Sequence, residues 1–262
     1  MNRRTRRVAG ATTTAAVAAV LAACAGAPPA ASPTTDSLQG SITVFAAASL
    51  TGTFSELAEQ FEAAHPGTTV ELNFAGSADL VTQITEGAPA DVFASADEKN
   101  MAKLTDADLV TGEPVDFATN VLEIAVPPAN PAGIGTFADL AAPGVKLVIC
   151  APEVPCGAAA AEVERASGVT LAPVSEESSV TDVLGKVLSG EADAGLVYVT
   201  DVIAAGDAVE GIEFDESAES VNTYPIAALT GAEASDAAAA FVAFVTGDAG
   251  RAVLSAAGFG RP

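Results

Sequence analysis

Two serines, Ser49 and Ser77, each follow a short apolar run and stand where a helical pattern begins. Residues 42–47 (ITVFAA) read as one strand, with Ser49 just after its end. Val70, Leu72 and Phe74 alternate as a second strand, and Gly76-Ser77 follows it. A serine in such a turn offers a hydroxyl donor. The helix start beside it offers unpaired backbone N–H groups and the positive end of the helix dipole. Two such turns on neighbouring strands make half of a cradle for an anion. Either serine alone is also what an N-cap or turn asks for, so the inference rests on the pair. Farther along, helix starts at Cys156 and near Val180 supply more backbone N–H groups, and Tyr198 brings a phenolic O–H to a strand's carboxyl end.

The elements that must position these groups follow from periodicity. Phe54, Leu57, Ala58 and Phe61 fall on one helical face, with Thr53 and Glu56 spaced for a capping box. Leu80, Val81 and Ile84 mark a second helix, and residues 91–94 a third strand. Strands separated by helices should pair in parallel through right-handed crossovers, with ligands outside their carboxyl ends. The pattern then predicts a helix at 98–104, a loop over 105–116 and a strand over 118–126 leading away. A buried strand at 146–149 precedes an Ala-rich helix closed by Gly168. Ser178-Ser179 should cap a helix carrying Val180, Val183 and Val187, with Asp182 as the boxing acid. A strand at 194–199 delivers Tyr198; 213–219 reads as an acidic, solvated loop; a strand at 224–229 returns; helices at 237–245 and 248–257 close the chain. The expected fold is α/β: parallel-rich sheets flanked by helices in two lobes, 41–120 plus 222–262 and 121–221, joined near Asn120 and Val221 as a hinged trap.

Charge narrows the function classes. Eleven Lys and Arg oppose 34 Asp and Glu, a net −23 that becomes −27 once the four arginines of the first 23 residues are lost. Such a surface excludes nucleic acid as a partner. Any anion site must therefore work through locally aimed donors, helped by salt screening beyond about 10 Å. Residues 1–23 have the basic start and apolar middle of an export signal. The segment Leu21-Ala22-Ala23-Cys24 resembles a bacterial lipobox, which implies lipidation of Cys24; an ordinary signal with a chance cysteine is the alternative. Residues 24–40, rich in Pro, Ser, Thr and Ala, read as a flexible linker. Attachment to the membrane is expected through the lipid anchor only, since nothing later is apolar for long enough to span a bilayer. Export permits a disulfide between Cys150 and Cys156, with two buried free thiols as the alternative. A zinc pair is disfavoured because the single histidine, His65, precedes Pro66 and reads as a helix stop. Asp79 reads as an acid in a helix's first turn. The serines have no catalytic partners, neither a G-x-S-x-G elbow nor S-x-x-K, so the chain is not expected to be an enzyme.

The segments VFAAASL, FAGSADL, GAPADVFASAD, ATNVL, VPCGAAA, SSVTDVL and GLVYVTD, in this order and spacing, resemble the periplasmic molybdate-binding proteins of bacterial ABC importers, from residue 42 to the C-terminus. The resemblance implies a type II periplasmic-binding-protein fold with its ligand cleft between the lobes. It implies capture of molybdate and tungstate, with no cofactor and with the metal held as its oxyanion rather than by direct protein ligands. The oxyanion would be bound by the Ser49 and Ser77 side chains, the amides of Cys156 and Val180, and the Tyr198 hydroxyl. It further implies permease and ATPase partners, a monomer, and a location anchored by lipid on the outer face of the cytoplasmic membrane. Cys156 departs from the small residue, such as alanine, expected there; an amide ligand tolerates this, although a bond to Cys150 could shift the loop. Molybdate at neutral pH is a fully ionised dianion, so a cradle of donors suits it, whereas monohydrogen phosphate would want an acceptor. A receptor for sulfate or another tetrahedral oxyanion is the neighbouring alternative, and a serine hydrolase the alternative of a different class.

Overall fold

The computed structural model describes residues 38–262. The expected signal segment 1–23, the lipidation site Cys24 and nearly all of the 24–40 linker lie outside the described residues.

From its start the chain alternates strand and helix. It runs through β1 (Gly40–Ala47), a 3-10 turn (Ala48–Leu50), α1 (Thr51–Ala64), β2 (Thr68–Ala75), α2 (Ser77–Thr85), β3 (Val92–Ala94), α3 (Glu98–Asp106) and β4 (Val110–Asn120). After Val121 come β5 (Leu122–Val126), β6 (Leu147–Cys150), α4 (Pro155–Ser167), β7 (Ser175–Glu177), α5 (Val180–Leu188), β8 (Ala194–Tyr198), α6 (Val199–Ala205) and β9 (Glu210–Ile212). The chain then returns through β10 (Asn222–Leu229) to α7 (Ser235–Thr246) and α8 (Asp248–Ala256).

These strands form two five-stranded sheets, ordered β2-β1-β3-β10-β4 and β7-β6-β8-β5-β9. In the first, β1 pairs in parallel with β2 and β3, and β10 runs antiparallel to β3 and β4. In the second, β6 pairs in parallel with β7 and β8, and β5 runs antiparallel to β8 and β9. The central strands are covered on both faces and so need uninterrupted apolar runs. Accordingly β3 (VFA) and β6 (LVIC) are buried at every residue. On one face of the first sheet, Phe54 and Phe61 of α1 meet Phe241 of α7 at ring distances of 6.2 and 5.2 Å, so the C-terminal helices complete this lobe's core. Leu80, Met101 and Leu104 from α2 and α3 pack on the other face. The second lobe has its own core, drawn from β5, β6, β8, α4 and α5.

Several local expectations need correction. The Thr53–Glu56 capping box does not form: the 3-10 turn leads straight into α1, Leu50 is its N-cap, and the buried Thr53 hydroxyl donates to the Leu50 carbonyl at 3.1 Å. Most of the loop expected over 105–116 is β4, an edge strand, where Gly112 and Pro114 are tolerated because one side makes no ladder. The single strand expected over 118–126 is divided at Val121 between the two sheets. Asn120 fixes that break, its Oδ1 accepting from the Val121 N–H at 3.1 Å and its Nδ2 donating to Thr200 Oγ1 at 2.8 Å. The short edge strand β7 was not expected from the sequence. Ser179 does cap α5, accepting from the Asp182 N–H at 3.2 Å.

Candidate functional site

The β1-to-α1 and β2-to-α2 turns of the first lobe face the β6-to-α4 and β7-to-α5 turns of the second. Ser49, Ser77, Cys156, Val180 and Tyr198 all line one hollow between them, and no charged side chain does. The hollow is small, about 10 Å³. The lobes touch at Gly76, where a Cβ would collide with the Ser178 carbonyl oxygen. Gly76 is needed for this approach rather than for its own backbone angles, which any residue can adopt.

Each donor is held differently. Ser77 is 1% exposed, and its Oγ accepts from the Ala96 N–H at 3.0 Å. Its oxygen is thus engaged while its own proton remains to be given. The Ser49 Oγ lies 3.1 Å from the Tyr224 hydroxyl. Cys156 and Val180 sit in the first turns of α4 and α5, where backbone N–H groups lack intrahelical partners. Pro155 at the first position of α4 gives up no needed donor. A disulfide joins Cys150, at the end of β6, to Cys156, so the turn presenting that amide is covalently closed. The turn is also tight, because a Cβ at Gly157 would meet the Ala151 carbonyl oxygen.

Tyr198 is 1% exposed, and its hydroxyl, although the Tyr224 phenol is close enough to act on it, completes no hydrogen bond among the described residues. A buried hydroxyl left unpaired costs about 1–3 kcal/mol, which a ligand accepting at that point would recover. Burial, with the neighbouring Tyr224, Asp97 and Asp201, drives the Tyr198 phenol well above its ordinary range, so it remains a donor. Asp201 accepts from the Tyr198 backbone N–H at 2.9 Å; burial raises its carboxyl to about 7, against the pull of that bond. Asp79, by contrast, lies in the first turn of α2 and is not among the residues lining the hollow.

A wider cavity of about 190 Å³ opens nearby between α3 and α4, but the three acids lining it, Asp97, Glu98 and Glu162, outnumber its one cation, Lys99, and disfavour an anion. Among the described residues no cluster of His, Cys, Asp and Glu is arranged to hold a metal ion. The uncharged hollow, with a hydroxyl or amide donor on every side, suits a small anion that carries no proton of its own.

Sequence reasoning missed three contributors. Tyr224 was expected only as the first residue of the returning strand, the Ala96 N–H has no sequence signature, and the Gly76–Ser178 approach depends on how two distant turns meet. The one available signal was compositional: the chain holds two tyrosines, and both are here.

Comparison with known proteins agrees with this architecture. The family model described as "Bacterial extracellular solute-binding protein" matches residues 42–260. The molybdate-binding protein ModA of Mycobacterium tuberculosis is 50% identical over 234 residues, covering 88% of this chain and 90% of that protein. Among solved structures, the periplasmic molybdate-binding protein of Azotobacter vinelandii superposes with a TM-score of 0.74 at 25% identity, over 84% of this chain and 99% of that one. The sulfate-binding protein SubI of M. tuberculosis superposes with a TM-score of 0.70 over 84% of this chain and 86% of that one, and at 23% identity the likeness is one of fold alone.

Proposed function

The chain belongs to the bacterial extracellular solute-binding proteins, and on that premise we propose that it captures molybdate, and tungstate with it, for an ABC importer by means of uncharged donors. The observation that carries this reading is the buried, unpartnered Tyr198 hydroxyl on an uncharged hollow shared with Ser49, Ser77 and the starts of α4 and α5. Hydrogen bonds to an ion contribute about 1.5–3 kcal/mol each, so five aimed donors offset much of the dianion's desolvation without a counter-charge. A donor-only lining favours a fully deprotonated guest over monohydrogen phosphate, whose proton would find no acceptor. Sulfate has the same charge and shape but is smaller, so discrimination against it would have to come from the size of the closed hollow.

Capture follows from the two chain crossings. Lobes 41–120 plus 222–262 and 121–221 swing about the Asn120–Val121 break and the 220–222 return, opening to admit the anion and closing until Gly76 meets Ser178. The export signal and the lipobox-like segment at Cys24 support a lipid-anchored monomer on the outer face of the cytoplasmic membrane, working with permease and ATPase subunits. The test is thermal unfolding of the purified chain with molybdate, tungstate, sulfate or phosphate. Molybdate and tungstate at a hundredfold excess over their dissociation constants should stabilise by about 2.7 kcal/mol. A larger shift in sulfate at equal concentration would transfer the assignment to that anion.

A further inference from the structure

We propose that Tyr224 is a positioning residue for the oxyanion site, donating its phenolic proton to Ser49 Oγ so that the Ser49 proton points at the anion. The inference rests on the oxyanion reading above and assigns a role to a residue outside the donor set.

A serine hydroxyl is both donor and acceptor, and its direction is settled by its neighbours. Ser77 shows how this lining settles it: the Ala96 N–H, which can only donate, occupies the Ser77 oxygen at 3.0 Å. The Ser77 proton is left for whatever lies in the hollow. Ser49 has no backbone N–H in that place; it has the Tyr224 hydroxyl at 3.1 Å, and either oxygen could be the donor of that bond. An anion accepting from Ser49 resolves the ambiguity, because the single Ser49 proton cannot serve two acceptors. Tyr224 must then donate.

Tyr224 is built for that task. It is fully buried, and its ring is packed edge-on by Phe117 at 6.2 Å, Phe259 at 5.5 Å and Tyr198 at 6.1 Å. Burial, with Asp201 nearby, pushes its phenol up, beyond the opposing effects of the Ser49, Asn120 and Tyr198 contacts, so its proton stays in place. It stands on β10, the strand between β3 and β4 that returns from the second lobe. Its ring meets Tyr198 of that lobe, while its hydroxyl orients a donor of the first. The two serines are thus polarised alike, one by a backbone amide and one by a phenol.

The test is a double-mutant cycle on the full chain, read by molybdate titration. Tyr224→Phe should weaken molybdate binding about tenfold, the effect of one hydrogen bond, while leaving unfolding without ligand little changed. In a Ser49→Ala background the same change should alter affinity by less than about twofold. An equal loss in both backgrounds would mean that Tyr224 acts through packing and would overturn the proposal. Unchanged affinity in Tyr224→Phe, with normal binding by the wild type, would also overturn it and leave the oxyanion reading standing. Failure of the wild type to bind molybdate removes both. Should Tyr224→Phe not fold, the two tyrosines can be replaced by 3-fluorotyrosine and followed by fluorine NMR, with Tyr198→Phe assigning the signals. The Tyr224 resonance should move on adding molybdate and should stop responding in Ser49→Ala; if it is silent in the wild type, or responds equally in the variant, the proposal fails.

Discussion

The two lobes share one plan and furnish it with different chemistry. Both sheets carry the same pattern, three parallel strands, then one reversed strand, then an edge strand antiparallel to it, and both present their first two strand-to-helix turns to the hollow. In the first lobe those turns hold Ser49 and Ser77, which offer side-chain hydroxyls oriented by Tyr224 and Ala96. In the second they hold Cys156 and Val180, which offer backbone N–H groups fixed by a disulfide and a Ser179 cap. At the third turn the lobes part: both Asp97 and Tyr198 hold the N-cap position, of α3 and α6, but the Asp97 side chain accepts from the Asn100 N–H of its own helix whereas Tyr198 lines the hollow. A side-chain donor depends on which residue is present, and a backbone donor depends only on where the chain runs. The first lobe should therefore be sensitive to substitution, and the second to anything that moves its turns.

The largest effect is expected where the lobes touch. Gly76→Ala places a methyl against the Ser178 carbonyl and holds the turns apart, although each lobe keeps its own core. Molybdate affinity should fall by about a hundredfold, in line with the cost of a small misplacement of binding groups, with ligand-free unfolding unchanged. Crystals of Gly76→Ala with a closed hollow would contradict the steric argument.

Next come the donors. Ser49→Ala or Ser77→Ala each removes one hydrogen bond to an ion, about 1.5–3 kcal/mol, or ten- to a hundredfold in affinity. Val180→Ala changes a side chain but no donor, and its affinity should stay within about threefold of wild type if the turn holds. Titration of the three variants side by side measures the contrast directly, and equal losses would erase it.

The parts of this arrangement that could be read from the sequence are the ones encoded locally. Ser179 with Asp182, Pro155 before Cys156, and Gly168 at φ 72° after α4 each mark a helix end within a few residues. The parallel pairing of β1 with β2 follows from short strands alternating with helices; that β3 pairs with β1 rather than with β2 does not. What could not be read depends on which distant segments become neighbours. Tyr224 reaches Ser49 across 175 residues, and only because β10 is inserted between β3 and β4. The strand β4 was obscured by Gly112 and Pro114, which signal a turn unless the strand is known to lie at an edge. The Thr53–Glu56 spacing misled for the opposite reason: a valid local motif lost to a 3-10 turn that had already started the helix.

The disulfide tests the second lobe's dependence on backbone position. Reduction, or Cys150→Ala with Cys156→Ala, removes no donor, since in the proposed site Cys156 would contribute only its amide. It frees the loop between β6 and α4, whose closure contributes roughly 2 kcal/mol to stability in the chain-entropy model. A lowered midpoint of unfolding together with a roughly fivefold loss of affinity is expected, the order of magnitude for relaxing one preorganised donor. Lost stability with intact affinity would show that α4's packing alone holds the amide in place.

The smallest effect concerns pH and belongs to the second lobe's third turn. Burial raises the Asp201 carboxyl to about 7 from an ordinary value of 3.8. The folded chain therefore keeps a proton on Asp201 that the unfolded chain has released, so this group favours folding most in acid, and its contribution is lost as pH rises through about 7. Ionised Asp201 would also set a negative charge beside Tyr198, against an incoming dianion. Molybdate affinity should accordingly fall a few-fold between pH 6 and pH 8. Asp201→Asn keeps an acceptor for the Tyr198 N–H and carries no charge, so it should flatten that profile while preserving binding at pH 6. An identical slope in the variant would place the titrating group elsewhere.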